Sequence, residues 1–119
     1  MAGPRFYDRV KETTVSPGIG TINLSGAPVG YRAFGSVFSS GDLVPYCMAT
    51  QNGPEWEVGL CTYINNSLGR EASLIKDSSS GVGILANFSS GTQDVFCDLT
   101  AYHANELTST LATMWVRFQ

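Results

Sequence analysis

Hydrophobic and polar positions in this chain alternate in short runs, and Gly, Ser, Asn or Pro breaks the runs at intervals of roughly ten residues. That rhythm is the mark of an antiparallel all-β domain. In "TINLSG", Ile22 and Leu24 fall on one side and Thr21 and Asn23 on the other. Comparable runs in "YDRVKETTV", "LVPYCMAT", "PEWEVGLCTYI", "EASLIKD", "ILANF" and "QDVFCDLTAY" predict seven or eight strands, enough for a small antiparallel β-sandwich or jelly-roll-like domain. One short helical segment is expected within residues 30–39, where Tyr31, Phe34, Val37 and Phe38 recur at helical spacing.

The pattern also predicts a hairpin. A three-residue loop over residues 51–53, with Gly53 left-handed, pairs Thr50 with Pro54, Met48 with Trp56, Tyr46 with Val58 and Val44 with Leu60. The even positions then form a core face that buries Trp56, while Cys47, Glu57, Gly59 and Cys61 point away. In that register Cys47 lies opposite Glu57, too far along the strand from Cys61 for a disulfide. The end of the chain is ambiguous: Leu107, Leu111, Met114 and Phe118 have helical spacing with Asn105 as a cap, whereas Met114, Val116 and Phe118 alternate as a strand would. β-Branched and aromatic content favours an extended tail over residues 103–119, with Trp115 and Phe118 available to dock on a neighbour.

Composition narrows the function. A chain of 119 residues is read as one domain, 1–119. A net charge of −3 and a pI near 4.9 argue against nucleic acid or an anionic membrane as partner. No apolar run approaches the ~20 residues of a membrane span, and "MAGPRFYDRV" lacks the apolar core of a signal peptide. The sequons at Asn65 and Asn87 are therefore read as coincidental. Three cysteines without a Cys-x-x-Cys pair, Cys47, Cys61 and Cys97, are expected as reduced thiols.

Candidate chemistry is sparse. His103 is the single histidine, and no Gly-x-Ser-x-Gly elbow accompanies it. Glu55 and Glu57 flank Trp56 on one strand face, as glycosidase carboxylates would, but also as the solvent side of an amphipathic strand. "PGIGT" and "SGVG" lack the lysine and following helix of a phosphate loop. Trp56, Tyr63 and Phe88 suit either a core or a sugar-stacking surface. Neither a metal nor another cofactor is expected. The densest charge lies in "DRVKETT": strand alternation puts Asp8, Val10 and Glu12 on one side and Arg9, Lys11 and Thr13 on the other. Segregated charge along an edge strand suits register-specific pairing, so Asp8, Arg9, Lys11 and Glu12 join Trp115 and Phe118 as candidate assembly contacts.

In order along the chain, "DRVKETT", "GIGTINLSGAPVGYRAFGSVFSSGD", "EWEVGLCTY", Arg70, "SSSG" and "FSSGTQDVF" resemble a group of small virion and tail-structural proteins of tailed bacteriophages. There the same string often forms the N-terminal module of a longer fibre or tail protein. The resemblance covers residues 6–101. It implies a non-enzymatic, β-rich module that builds or attaches part of the particle, and it supplies no catalytic residues. With no shaft repeats or receptor-binding tip before Gln119, the expectation is a short fibre, adaptor, collar or decoration subunit. It would be made in the host cytoplasm, reside in the virion, and assemble with copies of itself and with head–tail or tail proteins. The alternatives are a carbohydrate- or receptor-binding module of the particle, or a small hydrolase built on Glu55, Glu57 or His103.

Overall fold

The fold is seen in a computed structural model that describes the backbone of residues 4–117 and the side chains of residues 4–109. It is all-β with short helical additions. The strands are β1 (Lys11–Thr14), β2 (Ile22–Gly26), β3 (Leu43–Thr50), β4 (Trp56–Ile64), β5 (Ser67–Gly69), β6 (Ile75–Ser78) and β7 (Gln93–Cys97). They lie in the order β3-β7-β1-β2-β5-β4-β6, and an additional β3–β4 pairing closes six of them into a small barrel. All the pairings between these strands are antiparallel. The long strand β4 makes closure possible: one edge pairs with β3, while the other takes β6 over its first half and β5 over its second.

Inside the barrel, Ile22, Val44, Tyr46, Met48, Leu68 and Val95 are fully buried. Phe34 and Phe38 plug it from the connection before β3, and their rings stack at 6.1 Å. The helical segment expected within residues 30–39 is a single 3-10 turn, Phe34–Ser36. Asn65 and Asn66 carry φ of 43° and 62° between β4 and β5, a two-residue turn in which both central residues are left-handed and asparagine is favoured.

Three expectations need correction. The β3–β4 register is shifted by one residue: Ala49 pairs with Trp56, Met48 with Glu57, Cys47 with Val58 and Val44 with Cys61. Gly53 is not left-handed, and the Thr50 amide closes on the Glu55 carbonyl at 3.0 Å across a four-residue loop, "QNGP". One extra loop residue exchanges the two faces of β4. Glu57, Gly59, Cys61 and Tyr63 thus point inward, and Trp56 is 38% exposed. The second correction concerns "DRVKETT": β1 lies between β7 and β2 and is not an edge. The third is the tail. Ala101–Arg117 forms a helix, α1, rather than an extended segment. Its N-cap is Thr100, whose hydroxyl accepts the His103 amide at 3.4 Å, and not Asn105.

Candidate interaction surface

Two carboxylates, Glu12 expected as an assembly contact and Glu57 weighed as a hydrolase residue, are built into the barrel. Glu12 is 1% exposed. Its Oε1 accepts the Gly26 amide at 3.0 Å, and its Oε2 accepts the Phe34 amide at 2.9 Å. It thereby satisfies the backbone at the β1–β2 irregularity and at the start of the 3-10 turn, which has no side-chain cap of its own. Glu57 receives Arg70 Nε at 2.8 Å, Arg70 Nη2 at 2.6 Å, the Ala86 amide at 2.8 Å and the Tyr46 hydroxyl. The Arg70 and Glu57 side chains are 1% and 0% exposed. Burial pushes the Tyr46 hydroxyl far above its ordinary range, and the Glu57 charge adds to this. Burial would lower the Arg70 pKa, but its hydrogen bonds with Glu57 outweigh that and hold the guanidinium charged. Arg70 also donates to the carbonyls of Gly18, Gly20 and Ala86, so the pair ties two loops to the barrel wall.

The hydrolase residues do not come together. Glu55 sits at the barrel end on a cleft of about 360 Å³ formed by the β3–β4 loop and residues 89–93. Hydrogen bonds from the Ser89 hydroxyl and amide hold its carboxyl below the usual range. Glu57 is inside, and His103 is at the base of α1, where burial, with a contribution from Lys76, lowers its pKa. Among the described residues no cluster of three or more His, Cys, Asp or Glu could hold a metal, and no helix is long and apolar enough to cross a membrane.

The remaining charges of "DRVKETT" are at the surface, organised by one backbone feature. Arg9 has a φ of 61°, uncommon for a residue with a side chain, and it breaks the strand so that Asp8 stays exposed while Val10 and Glu12 enter the core. Two reciprocal clamps hold this bend. Arg9 donates to the Gly30 carbonyl at 3.2 and 3.1 Å, and Arg32 donates to the Asp8 carbonyl at 3.0 and 2.6 Å. The Arg9 guanidinium lies 4.0 Å and the Lys11 ammonium 5.0 Å from the centre of the Tyr31 ring, and Lys11 is 3.8 Å from Asp94.

On either side of Arg9 and Cys97 the surface opens. One cleft, of about 340 Å³, is lined by Val10, Lys11, Tyr31 and Phe96 with those two residues. The other, of about 530 Å³, is lined by Phe6, Tyr7, Asp8, Arg9, Cys97, Asp98, Leu99 and Leu107. Phe6, Leu99 and Leu107 are 45%, 53% and 55% exposed, an apolar group rimmed by both signs of charge. Phe6 also meets the His103 ring edge-on at 5.7 Å, fixing α1 to the N-terminal segment.

Asp8, Arg9 and Lys11 thus converge on one surface, and Glu12 does not. Trp115 lies in the last turn of α1, its side chain outside the described residues; Phe118 lies outside them altogether. Sequence reasoning missed Phe6 and Leu99, and it placed Tyr31 in the helical segment and Leu107 in the docking tail without joining either to this surface. An aromatic residue two positions before a charged run was the available signal for Phe6. No known protein family, curated protein or solved structure matches the chain.

Proposed function

We propose that this chain is a non-enzymatic structural protein of a tailed-phage virion, a short fibre, adaptor or decoration subunit present in multiple copies and attached to the head–tail or tail assembly. The observation that carries this reading is the cleft between Phe6, Leu99 and Leu107, with Asp8 and Arg9 on its rim. Exposed apolar groups ringed by mixed charge are what a docking surface requires. Support also comes from the buried carboxylates, which are committed to backbone amides and to Arg70 and so serve the scaffold. The test is a Phe6→Glu, Leu99→Glu chain expressed in the phage that encodes it. The barrel should keep the parent's melting transition even where the Phe6–His103 contact is lost, while mass spectrometry of purified virions should show the variant absent or strongly depleted. Normal incorporation would overturn the proposal.

A second reading, a carbohydrate- or receptor-binding module of the particle, is favoured by the opposite end of the barrel. That cleft is lined by Thr50, Asn52, Ser89, Ser90 and Thr92 beside Glu55, and the buried Gln93 Oε1 has no hydrogen-bond partner among the described residues. Saturation-transfer NMR with host surface polysaccharide separates the readings: transfer that Asn52→Ala abolishes would favour this one.

A further inference from the structure

The loop between β3 and β4 is tied down at its ends and free in its middle. The Thr50 amide donates to the Glu55 carbonyl at 3.0 Å, the Gln51 amide to the Thr92 carbonyl at 3.1 Å, and Gln51 Nε2 to Asp94 Oδ1 at 3.1 Å. Between these anchors Asn52, Gly53 and Pro54 are exposed. Among the described residues nothing bonds the Asn52 carboxamide or the Gly53 amide. A Cβ at residue 53 would meet Thr50 Oγ1 at 2.9 Å and Glu55 Oε2 at 3.2 Å, so the packing of the loop itself favours glycine there.

That combination has a chemical consequence. The carboxamide carbon of an asparagine is open to attack by the backbone nitrogen of the next residue, and a side chain on that residue hinders the approach. Glycine has none, and exposed loop tips carry the least structure to oppose the movement. The other five asparagines are placed differently. After Asn23 the Leu24 amide donates to the Asn66 carbonyl at 3.2 Å, after Asn65 the Asn66 amide donates to the Tyr63 hydroxyl at 3.1 Å, and after Asn87 the Phe88 amide donates to the Gly18 carbonyl at 3.1 Å. Asn66 is itself held through Nδ2 to the Leu24 carbonyl at 3.4 Å, and Asn105 lies within α1 ahead of Glu106. Among the described residues, Asn52 alone joins an unbound carboxamide to an unbound and unhindered neighbouring amide.

We infer that Asn52–Gly53 is a site of spontaneous deamidation in the folded protein. The Gly53 nitrogen bonds to Asn52 Cγ, and the carboxamide nitrogen leaves as ammonia, taking up the amide proton by way of solvent. Water then opens the cyclic imide at either carbonyl, giving aspartate or isoaspartate. The product adds a negative charge beside Glu55 on the cleft that both residues line, and the isoaspartate form also lengthens the main chain within the turn. A ligand that accepts a hydrogen bond from the Asn52 carboxamide loses it, while the surface around Phe6 and Leu99 is untouched. The inference rests on neither functional reading above. The test is incubation of the full chain at neutral and mildly alkaline pH in water labelled with heavy oxygen, followed by peptide mapping with electron-transfer fragmentation. Amide should be lost at Asn52 ahead of every other asparagine and faster as pH rises, with one label taken up and isoaspartate present alongside aspartate. Asn52→Gln keeps an amide but cannot close the same ring, so it should stay unlabelled at this position with an unchanged melting temperature. Loss of the amide only after unfolding in urea would overturn the inference. So would loss led by another asparagine, or a product of aspartate alone, which marks direct hydrolysis.

Discussion

Arg70→Ala should be the most damaging single substitution in the barrel wall. It removes both guanidinium bonds to Glu57 and three to the carbonyls of Gly18, Gly20 and Ala86. It leaves a carboxylate whose side chain is 0% exposed with the Ala86 amide and the Tyr46 hydroxyl as its remaining donors. Removing one member of a buried ion pair costs about 3–5 kcal/mol. An unfolding entropy of about 2.1 cal/mol/K per residue gives roughly 4 °C per kcal/mol for a chain of this size, so the melting temperature should fall by roughly 12–20 °C. Urea unfolding followed by circular dichroism measures the same loss independently of temperature. The double variant Glu57→Met, Arg70→Met provides the control: it leaves no unpaired buried charge, so it should be clearly more stable than Arg70→Met alone. The difference should survive high salt, because water and ions do not reach the pair. A loss below about 1 kcal/mol for Arg70→Ala, the range of an exposed pair, would refute the account.

Gly59→Ala should destabilise by about 1–3 kcal/mol, the cost of overpacking, because its Cβ would come within 2.5 Å of the Leu74 carbonyl oxygen and 2.9 Å of Ile75 Cα; urea midpoints check this. Burial raises the thiol pKa of Cys61 and Cys97, and that of Cys47 from 9.0 to about 11. Alkylation at neutral pH should therefore be slow at all three until the chain unfolds. For the same groups the unfolded chain loses protons first as pH rises, so stability should hold below about pH 9 and decline as pH climbs toward 11; a flat melting temperature over that range would count against it. His103 has the opposite linkage. Its folded pKa lies below 6.5, so the unfolded chain binds the proton more readily and stability should fall as pH drops below that value. An NMR titration of the His103 ring reads the midpoint directly.

Much of the barrel was legible because burial is periodic along its strands. Val44, Tyr46 and Met48 were placed on one inward face and are there. What failed was the register across the turn. A three-residue and a four-residue loop differ by one residue, too small a difference for a "QNGP" sequence to decide, and that residue puts Glu57 rather than Trp56 inside. Apolar content pointed the wrong way on β4 because the acid finds Arg70 through the fold, 13 residues on. Glu12 was readable in principle: alternation placed it beside Val10, and a core valine takes its neighbour two positions away into the barrel. The break at Arg9 that frees Asp8 was not readable, since it depends on the carbonyl of Gly30. In the tail, leucine spacing was the sound signal and β-branched content the misleading one. The surface cleft escaped notice because Phe6, Leu99 and Leu107 come from three separate segments.

Barrel closure constrains how such molecules can add to one another. Each of the six closing strands has a neighbour on both sides, and among the described strands only β6 has a single partner. It is four residues long and carries Lys76 and Asp77, features that discourage a visiting strand. The backbone therefore offers almost no template for sheet extension, the route by which a β-rich protein at high local concentration turns into amyloid-like fibres. Growth by repetition is left to side chains, whose fit can be tuned residue by residue and whose contacts stop when the geometry closes.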